Sequence, residues 1–499
     1  MPGADLFGEA PIPRLRLQIG LAEIRRLEQD RRQYVPAGLS DGSNNYPAVA
    51  VHLKGARGSI RSLSDKPSFT LDFTRLRPEQ RFHGLRKIHL NNSVEDPAYL
   101  CEQLGAALFQ RAGVPAPRVS HALVELNGRP LGLFVLKEGF TGEFFALHFK
   151  HNDGNLYEPE PGQDVADPIK RHWGDEPDAL AGLQRLGESV QETNLTRRWA
   201  RLQETLDTDR FASFMGLEMM LGHRDGYCLA KNNFRVYHDL DQNRMVFLPQ
   251  GMDVLFGKAD LPWKPVMVGL TARAWMEIPE GQALYDGRFG QLFTHLYLPT
   301  ALGQWVDREA GRIRPLLSRA AASEFDAAVA DLKQRIARRH ASLAQQLAAP
   351  ESFPRSFTNG TTALVNWFKM DEPEGGIMDQ VKAEGRTALH IRAGPKTGAS
   401  WRCKVLLRAG RYRFEGMMRT VGVEPLPFGR VQGASLRLLG QTNQAPPVLG
   451  MSEWKKNEVG FQIKQPSEQV ELMCELRARA GEVWFDLGSL CLWLAEEAR

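Results

Sequence analysis

The stretch that decides the fold runs His223-Arg224-Asp225-Gly226-Tyr227, then Asn232-Asn233-Phe234, then Gly251-Met252-Asp253-Val254-Leu255-Phe256-Gly257. It follows a long apolar helix, Phe211 to Leu221. It also spans a hairpin-like unit, Asn233 to His238 and Met245 to Leu248, that turns through Asp239-Leu240-Asp241-Gln242-Asn243. Carboxylate and amide oxygens spaced by a helix end and a hairpin are the donors a hard divalent cation takes. A hydrolytic metal site built from His223, His238, Asp239, Asp241 and Asp253 is disfavoured, because no H-x-H or H-E-x-x-H spacing puts two imidazoles on one face. A serine hydrolase is disfavoured too, since no G-x-S-x-G elbow occurs.

Working outward towards the N-terminus, residues 14–75 read as short strands and turns. Leu21, Ile24 and Leu27 are helically spaced, whereas Ala48 to Leu53 and Ser68 to Phe73 look extended. The loop Lys54-Gly55-Ala56-Arg57-Gly58-Ser59 would let backbone N–H groups approach a ligand, although a plain hairpin loop explains it equally. Asp96-Pro97 predicts a helix start, with Leu100, Leu104, Leu108 and Phe109 in phase up to Gly113. The strands Arg118 to Glu125 and Gly132 to Lys137 are joined by Asn127-Gly128, a hairpin signal. Ala179 to Met220 reads as mostly helical, broken at Thr205 to Asp209.

Working towards the C-terminus, an amphipathic helix is expected from Ser323, with Asp326 completing a capping box, to Leu347. Pro350 and Pro354 stop it. From Asn366 onward come short alternating segments: Ala388 to Ile391, Trp401 to Leu407, Tyr412 to Met418, Ser435 to Leu439, Glu458 to Ile463, Val470 to Leu476 and Val483 to Leu492. Strands at this spacing predict a β-sandwich of jelly-roll type. The chain therefore divides into an α+β domain at 1–350 and an all-β domain at 355–499, with the boundary near 350–360.

Composition narrows the classes. The 499 residues carry 63 Lys+Arg against 59 Asp+Glu, a net charge of +4, with 42% hydrophobic residues, which suits a globular chain of several domains. No dense basic stripe marks a nucleic-acid binder, and no apolar run approaches the roughly 18–20 residues of a transmembrane helix. The five cysteines (Cys101, Cys228, Cys403, Cys474, Cys491) form no C-x-x-C pair and are expected as isolated thiols. Met1 to Asp5 has no signal-peptide pattern, so the protein is expected either to stay inside or to have lost its signal.

The quoted motifs are joined by Lys87-Ile88-His89-Leu90-Asn91-Asn92, Gly113-Val114-Pro115-Ala116-Pro117-Arg118, Leu126 to Glu138 and Asn155-Leu156-Tyr157. Over roughly residues 14–345 the chain resembles the CotH kinase-like family, named for spore coat protein H. The resemblance implies an atypical protein-kinase fold that binds ATP with Mg²⁺ or Mn²⁺ and phosphorylates serine on secreted proteins. A protein hydroxyl is then the acceptor, and an extracytoplasmic location with the signal removed is expected.

Phosphoryl transfer needs cations against the phosphates, a group that orients the acceptor, and oxygens that hold the metal. Lys66, heading a strand, is the candidate for the phosphates, with Glu102 on the following helix as its partner. Glu138 stands where the connecting hinge would meet adenine. Asp225, in H-R-D, is the candidate catalytic residue that accepts the acceptor proton. Asp253, in D-x-x-F-G, is the principal metal ligand, and Asn233 the second. The departure from the kinase pattern is that asparagines stand seven and eight residues after Asp225 instead of five. The alternative is a catalytically silent kinase-like surface or structural protein whose sandwich binds carbohydrate or protein. There Trp401, Trp454, Trp484 and Trp493 are expected mainly as core, with an exposed indole as the glycan contact.

Overall fold

The computed structural model describes residues 1–497 apart from 43, 56–57, 175–179, 349–353, 359, 428–431 and 440–444. Ala56 and Arg57 of the glycine-containing loop, and much of the 350–360 boundary, lie outside the described residues. The chain forms two compact units, one of residues 1–275 with 292–343, the other of 276–291 with 344–499. The short piece 276–291, read from sequence as part of the first domain, groups with the second because it packs there: a Cβ on Gly290 would press on Val365.

The first unit opens with a closed barrel in the order β1-β2-β3-β4-β5-β7-β6. Its strands are β1 (Arg14–Gln18), β2 (Val35–Ser40), β3 (Asn45–Lys54), β4 (Ser68–Asp72), β5 (Lys87–Asn91), β6 (Val119–Leu126) and β7 (Arg129–Glu138), with α1 (Leu21–Gln29) and α2 (Cys101–Arg111) inserted. Side chains alternate across a strand. Val49, Val51, Leu53, Phe69, Leu71, Ile88, Leu90, Phe134 and Leu136 therefore fill the barrel. Their neighbours form rows on the outside that are polar but for Ala50: His52–Thr70–His89–Lys137 in one register, Ala50–Asp72–Lys87 in the next. Asn127 and Gly128, both at positive φ, make the β6–β7 turn that their dipeptide predicts. Helix α2 begins at Cys101, later than Asp96-Pro97 suggests; the Asp96 carboxylate accepts from Cys101 N at 2.8 Å across the intervening turn.

Beyond the barrel come α3 (Gly142–His148), β8 (Leu156–Glu158), β9 (Lys170–Trp173), α4 (Ala181–Gln191), α5 (Leu195–Thr205), α6 (Thr208–Leu221) and α7 (Tyr227–Ala230). The hairpin β10 (Phe234–Asp239) and β11 (Arg244–Pro249) joins β8 and β9 in a small sheet. Helices α8 (Leu270–Met276), α9 (Pro279–His295), α10 (Pro299–Ile313) and α11 (Arg319–Ala348) follow. Asp326 does not cap α11, which starts a turn earlier; its carboxylate takes the Arg314 guanidinium instead, at 2.9 Å.

Apart from its residues in α8, α9 and α11, the second unit is a β-sandwich around its own apolar cluster, which includes Leu389, Trp401, Phe414, Leu472 and Phe485. Two pairs of expected strands turn out to be two long ones, Thr397–Glu424 and Gly450–Ala478. A register shift between Arg408 and Gly410 takes the place of a chain reversal, as a bulge does. The expected strand Val483 to Leu492 is, conversely, two, Ala480–Asp486 and Cys491–Glu497.

Candidate functional site

Helix α6 is buried from Phe211 to Leu221, so it serves as a fixed post within the unit. Asp207 caps its start by accepting from Arg210 N. Gly222 ends it at φ +64, a left-handed conformation that favours glycine, and that turn presents His223-Arg224-Asp225. Glu218, also on α6, accepts from Tyr227 N and Cys228 N at 2.8 and 2.7 Å and so pins the start of α7. His223 is buried, with Nε2 3.0 Å from Gly251 O and Nδ1 3.7 Å from Glu218. Burial lowers its pKa, but the bond and charge of Glu218 outweigh that and raise it.

Asp225 is exposed. Its Oδ2 accepts from Asn233 Nδ2 at 2.8 Å and from Asn232 Nδ2 at 3.0 Å, so both asparagines meet the aspartate despite their late spacing. Asn233 adopts φ 52, and its side chain lies so close to Gly251 that a Cβ there would collide with it. With Nδ2 spent on Asp225, its Oδ1 is the atom left to a cation. Two residues beyond Gly251, Asp253 is mostly buried, and among the described residues no side chain donates to its carboxylate. Burial, and then the negative charge of Glu102, push that carboxyl from 3.8 to about 6. Among the described residues no three His, Cys, Asp or Glu side chains form a complete metal cage. Asp253 and the Asn233 Oδ1 together offer one carboxylate and one amide oxygen, the oxygen donors that a hard divalent cation takes.

The expected pair Lys66–Glu102 is not made. Lys66 lies before β4, where its Nζ donates to Tyr99 OH at 2.7 Å and rests over the rings of Tyr99 and Phe134. Glu102 instead takes Lys137 Nζ at 2.5 Å, and its other oxygen accepts from Asn91, which in turn accepts from Lys54 Nζ at 2.6 Å. The reason is the barrel: β5 beside β7 aligns His89 with Lys137, and α2 lays Glu102 across those strands. Burial, followed by the like charge of Lys137, draws Lys54 down to about 8. Glu138 is fully buried and its carboxylate is occupied by Arg118, with Nε at 2.9 Å and Nη2 at 2.5 Å, so its side chain is not offered to a base. Sequence reasoning missed Lys54, His89 and Lys137. Their signal was the alternation in His52/Lys54 and Lys87/His89/Asn91, whose polar positions are basic or amide.

In the sandwich Trp401 is core, 4% exposed. The other three indoles are half-buried and each carries a guanidinium on its ring: Arg386 on Trp454, Arg419 on Trp484, Arg413 on Trp493. Trp484 is stacked on its other side by His390, 4.9 Å away.

A barrel, a linker, a helical lobe and an Asp–Asn–Asp cluster on the loops around a β-hairpin define a kinase-like α+β domain, followed by a β-sandwich. The family described as CotH kinase protein matches residues 52–341, and the chain belongs to that family. The invasin CotH2 of Rhizopus delemar is 27% identical over 245 residues, covering 44% of this chain and 40% of that protein. Invasin CotH3 of the same organism is 25% identical over 312 residues, covering 57% and 48%. The chain thus spans less than half the length of these two relatives. The inner spore coat protein H of Bacillus subtilis is 21% identical over 267 residues, 50% of this chain and 70% of that one. Among solved structures, the Helicobacter pylori proinflammatory kinase CtkA aligns with 7% identity and a TM-score of 0.26 over 58% of this chain and 96% of that chain. A carbohydrate-binding module described as CBM4 aligns with 17% identity and a TM-score of 0.19 over 26% and 86%. No helix among the described residues is long and apolar enough to cross a membrane.

Proposed function

We propose that the chain is a phosphotransferase that uses ATP with Mg²⁺ or Mn²⁺ and acts on a protein hydroxyl, serine by the family's habit. The observation that carries this reading is the pair Asp225–Asn233 beside a mostly buried Asp253 whose carboxylate meets no side-chain donor among the described residues. Asp225 is exposed and held by two amides, which suits a carboxylate that orients the acceptor hydroxyl and takes its proton. Asp253 and the Asn233 Oδ1 would hold the cation, whose charge would offset that developing on the phosphates. Lys137, fixed by Glu102, and Lys54, fixed by Asn91, take the role first given to Lys66. Extracytoplasmic action is supported by the spore-coat and invasin names of the relatives.

Asp225→Asn should keep MgATP binding by calorimetry and lose radiolabel transfer by about 10²–10⁴-fold, the span of a positioned proton acceptor. Undiminished transfer would move the catalytic role elsewhere, and a wild type that binds no nucleotide would sink the reading. For the sandwich we propose glycan binding, supported by an open cavity of about 410 Å³ that Arg392, Arg479 and Glu482 line with Gly394 and Gly481. With the indole faces capped by arginine, its contacts would be polar more than stacking.

A further inference from the structure

Arg235 follows Asn233 by two residues, inside β10, and is only 7% exposed. Its guanidinium lies over the ring of Phe140, 4.9 Å from the centroid, and Phe140 belongs to the linker that leaves the barrel after Glu138. Nη2 donates to Glu158 Oε1, across the β8–β10 pairing, and the other Glu158 oxygen lies 2.8 Å from His172 Nδ1. Among the described residues, Nε and Nη1 meet no acceptor. Buried donors are nearly always satisfied, and an orphaned pair on a guanidinium marks a place where something else supplies the acceptor.

The direction of that missing partner can be narrowed. The Arg235 charge acts on both His89 and Lys54, which stand on the outer faces of β5 and β3, so the guanidinium lies within electrostatic reach of those faces. His89 is kept neutral, its pKa driven well down by burial and then by Lys54, Lys87, Lys137 and Arg235, and its Nδ1 is 3.0 Å from Thr70 Oγ1. Glu158 already balances the Arg235 charge, so what the side chain lacks is hydrogen-bond acceptors and not a counter-ion. The cations suited to phosphates, Lys54 and Lys137, are gathered instead at Glu102 and Asn91. A flat, neutral group with acceptors along its edge, seated by the Glu138–Phe140 linker, meets these requirements.

We propose that Arg235 is the specificity-determining contact for the nucleobase, donating from Nε and Nη1 to ring-nitrogen or carbonyl acceptors of a base held beside His89 and the Glu138–Phe140 linker. This rests on the reading of the chain as a nucleotide-dependent phosphotransferase. The test compares MgATP with magnesium tripolyphosphate, which has the phosphates and no base, by calorimetry on the full chain. Arg235→Met should weaken MgATP by about 10–100-fold, the worth of hydrogen bonds from a charged donor, and tripolyphosphate by less than about twofold. Arg235→Lys keeps a cation for Glu158 and loses the planar fork, so it should shift the same ratio and serves if the methionine variant does not fold. Equal weakening of both ligands would make Arg235 a phosphate contact, and no weakening of either in a folded variant would make it structural; each result overturns the proposal. A wild type that binds neither ligand defeats the phosphotransferase reading itself, before any variant is compared.

Discussion

Replacing Asp253 with asparagine should raise the melting temperature of the ligand-free protein. Its carboxyl sits at about 6 in the folded chain against an ordinary 3.8, through burial first and the Glu102 charge second. A displacement of about 2 units at 1.36 kcal/mol each is a penalty of about 3 kcal/mol on the ionised native state. A carboxyl whose folded pKa is raised holds its proton more tightly when native. The penalty is therefore absent below about pH 3.8, grows between 3.8 and 6, and is complete above 6. Asparagine keeps the shape without the charge, and after the cost of a buried amide the gain at pH 7.5 should be about 1–3 kcal/mol, or a few degrees. Scanning calorimetry from pH 4 to 8, following the transition of the unit that contains Asp253, measures it. The variant should melt above wild type at pH 7.5, the gap should close as pH falls through 6, and MgATP should stabilise wild type alone. A variant that melts at or below wild type at pH 7.5, or a gap that ignores pH, would mean that the Asp253 charge is compensated in the fold and that no cation is needed there.

Lys137→Met should cost about 3–5 kcal/mol in urea unfolding, because it strands the Glu102 carboxylate, and Lys137→Met/Glu102→Met should recover much of that loss; independent, additive effects would deny the pair. The same Lys137 variant should depress MgATP affinity far more than Lys66→Met does, which calorimetry can rank directly. In the sandwich, Arg392→Ala should reduce retention on any glycan that the full chain binds, and a glycan array with nothing above background would remove the carbohydrate role.

The order of chemistry-bearing turns is legible because each is local. Gly222 ends α6 one residue before His223, the hairpin returns the chain to Gly251, and Asp253 follows within two positions, so short spacings carry Asp225, Asn233 and Asp253 into one neighbourhood. The change from helical to alternating pattern after residue 350 likewise announces a β-sandwich, since side-chain periodicity needs no partner to be read. Pairings across the barrel are another matter. Lys66, Lys137 and Lys54 all stand at or near strand ends, and nothing in their neighbours ranks them as partners for Glu102. Barrel closure decides it, setting β5 against β7 and leaving Lys66 to Tyr99. Glu138 is spent on Arg118 for the same reason, the antiparallel pairing of β6 and β7. Whether Arg408–Gly410 is a turn or a bulge depends on a neighbouring strand being there to continue the ladder. Local order follows from backbone and periodicity alone, whereas the partner of a charge or a strand is settled only when distant segments compete for it in three dimensions.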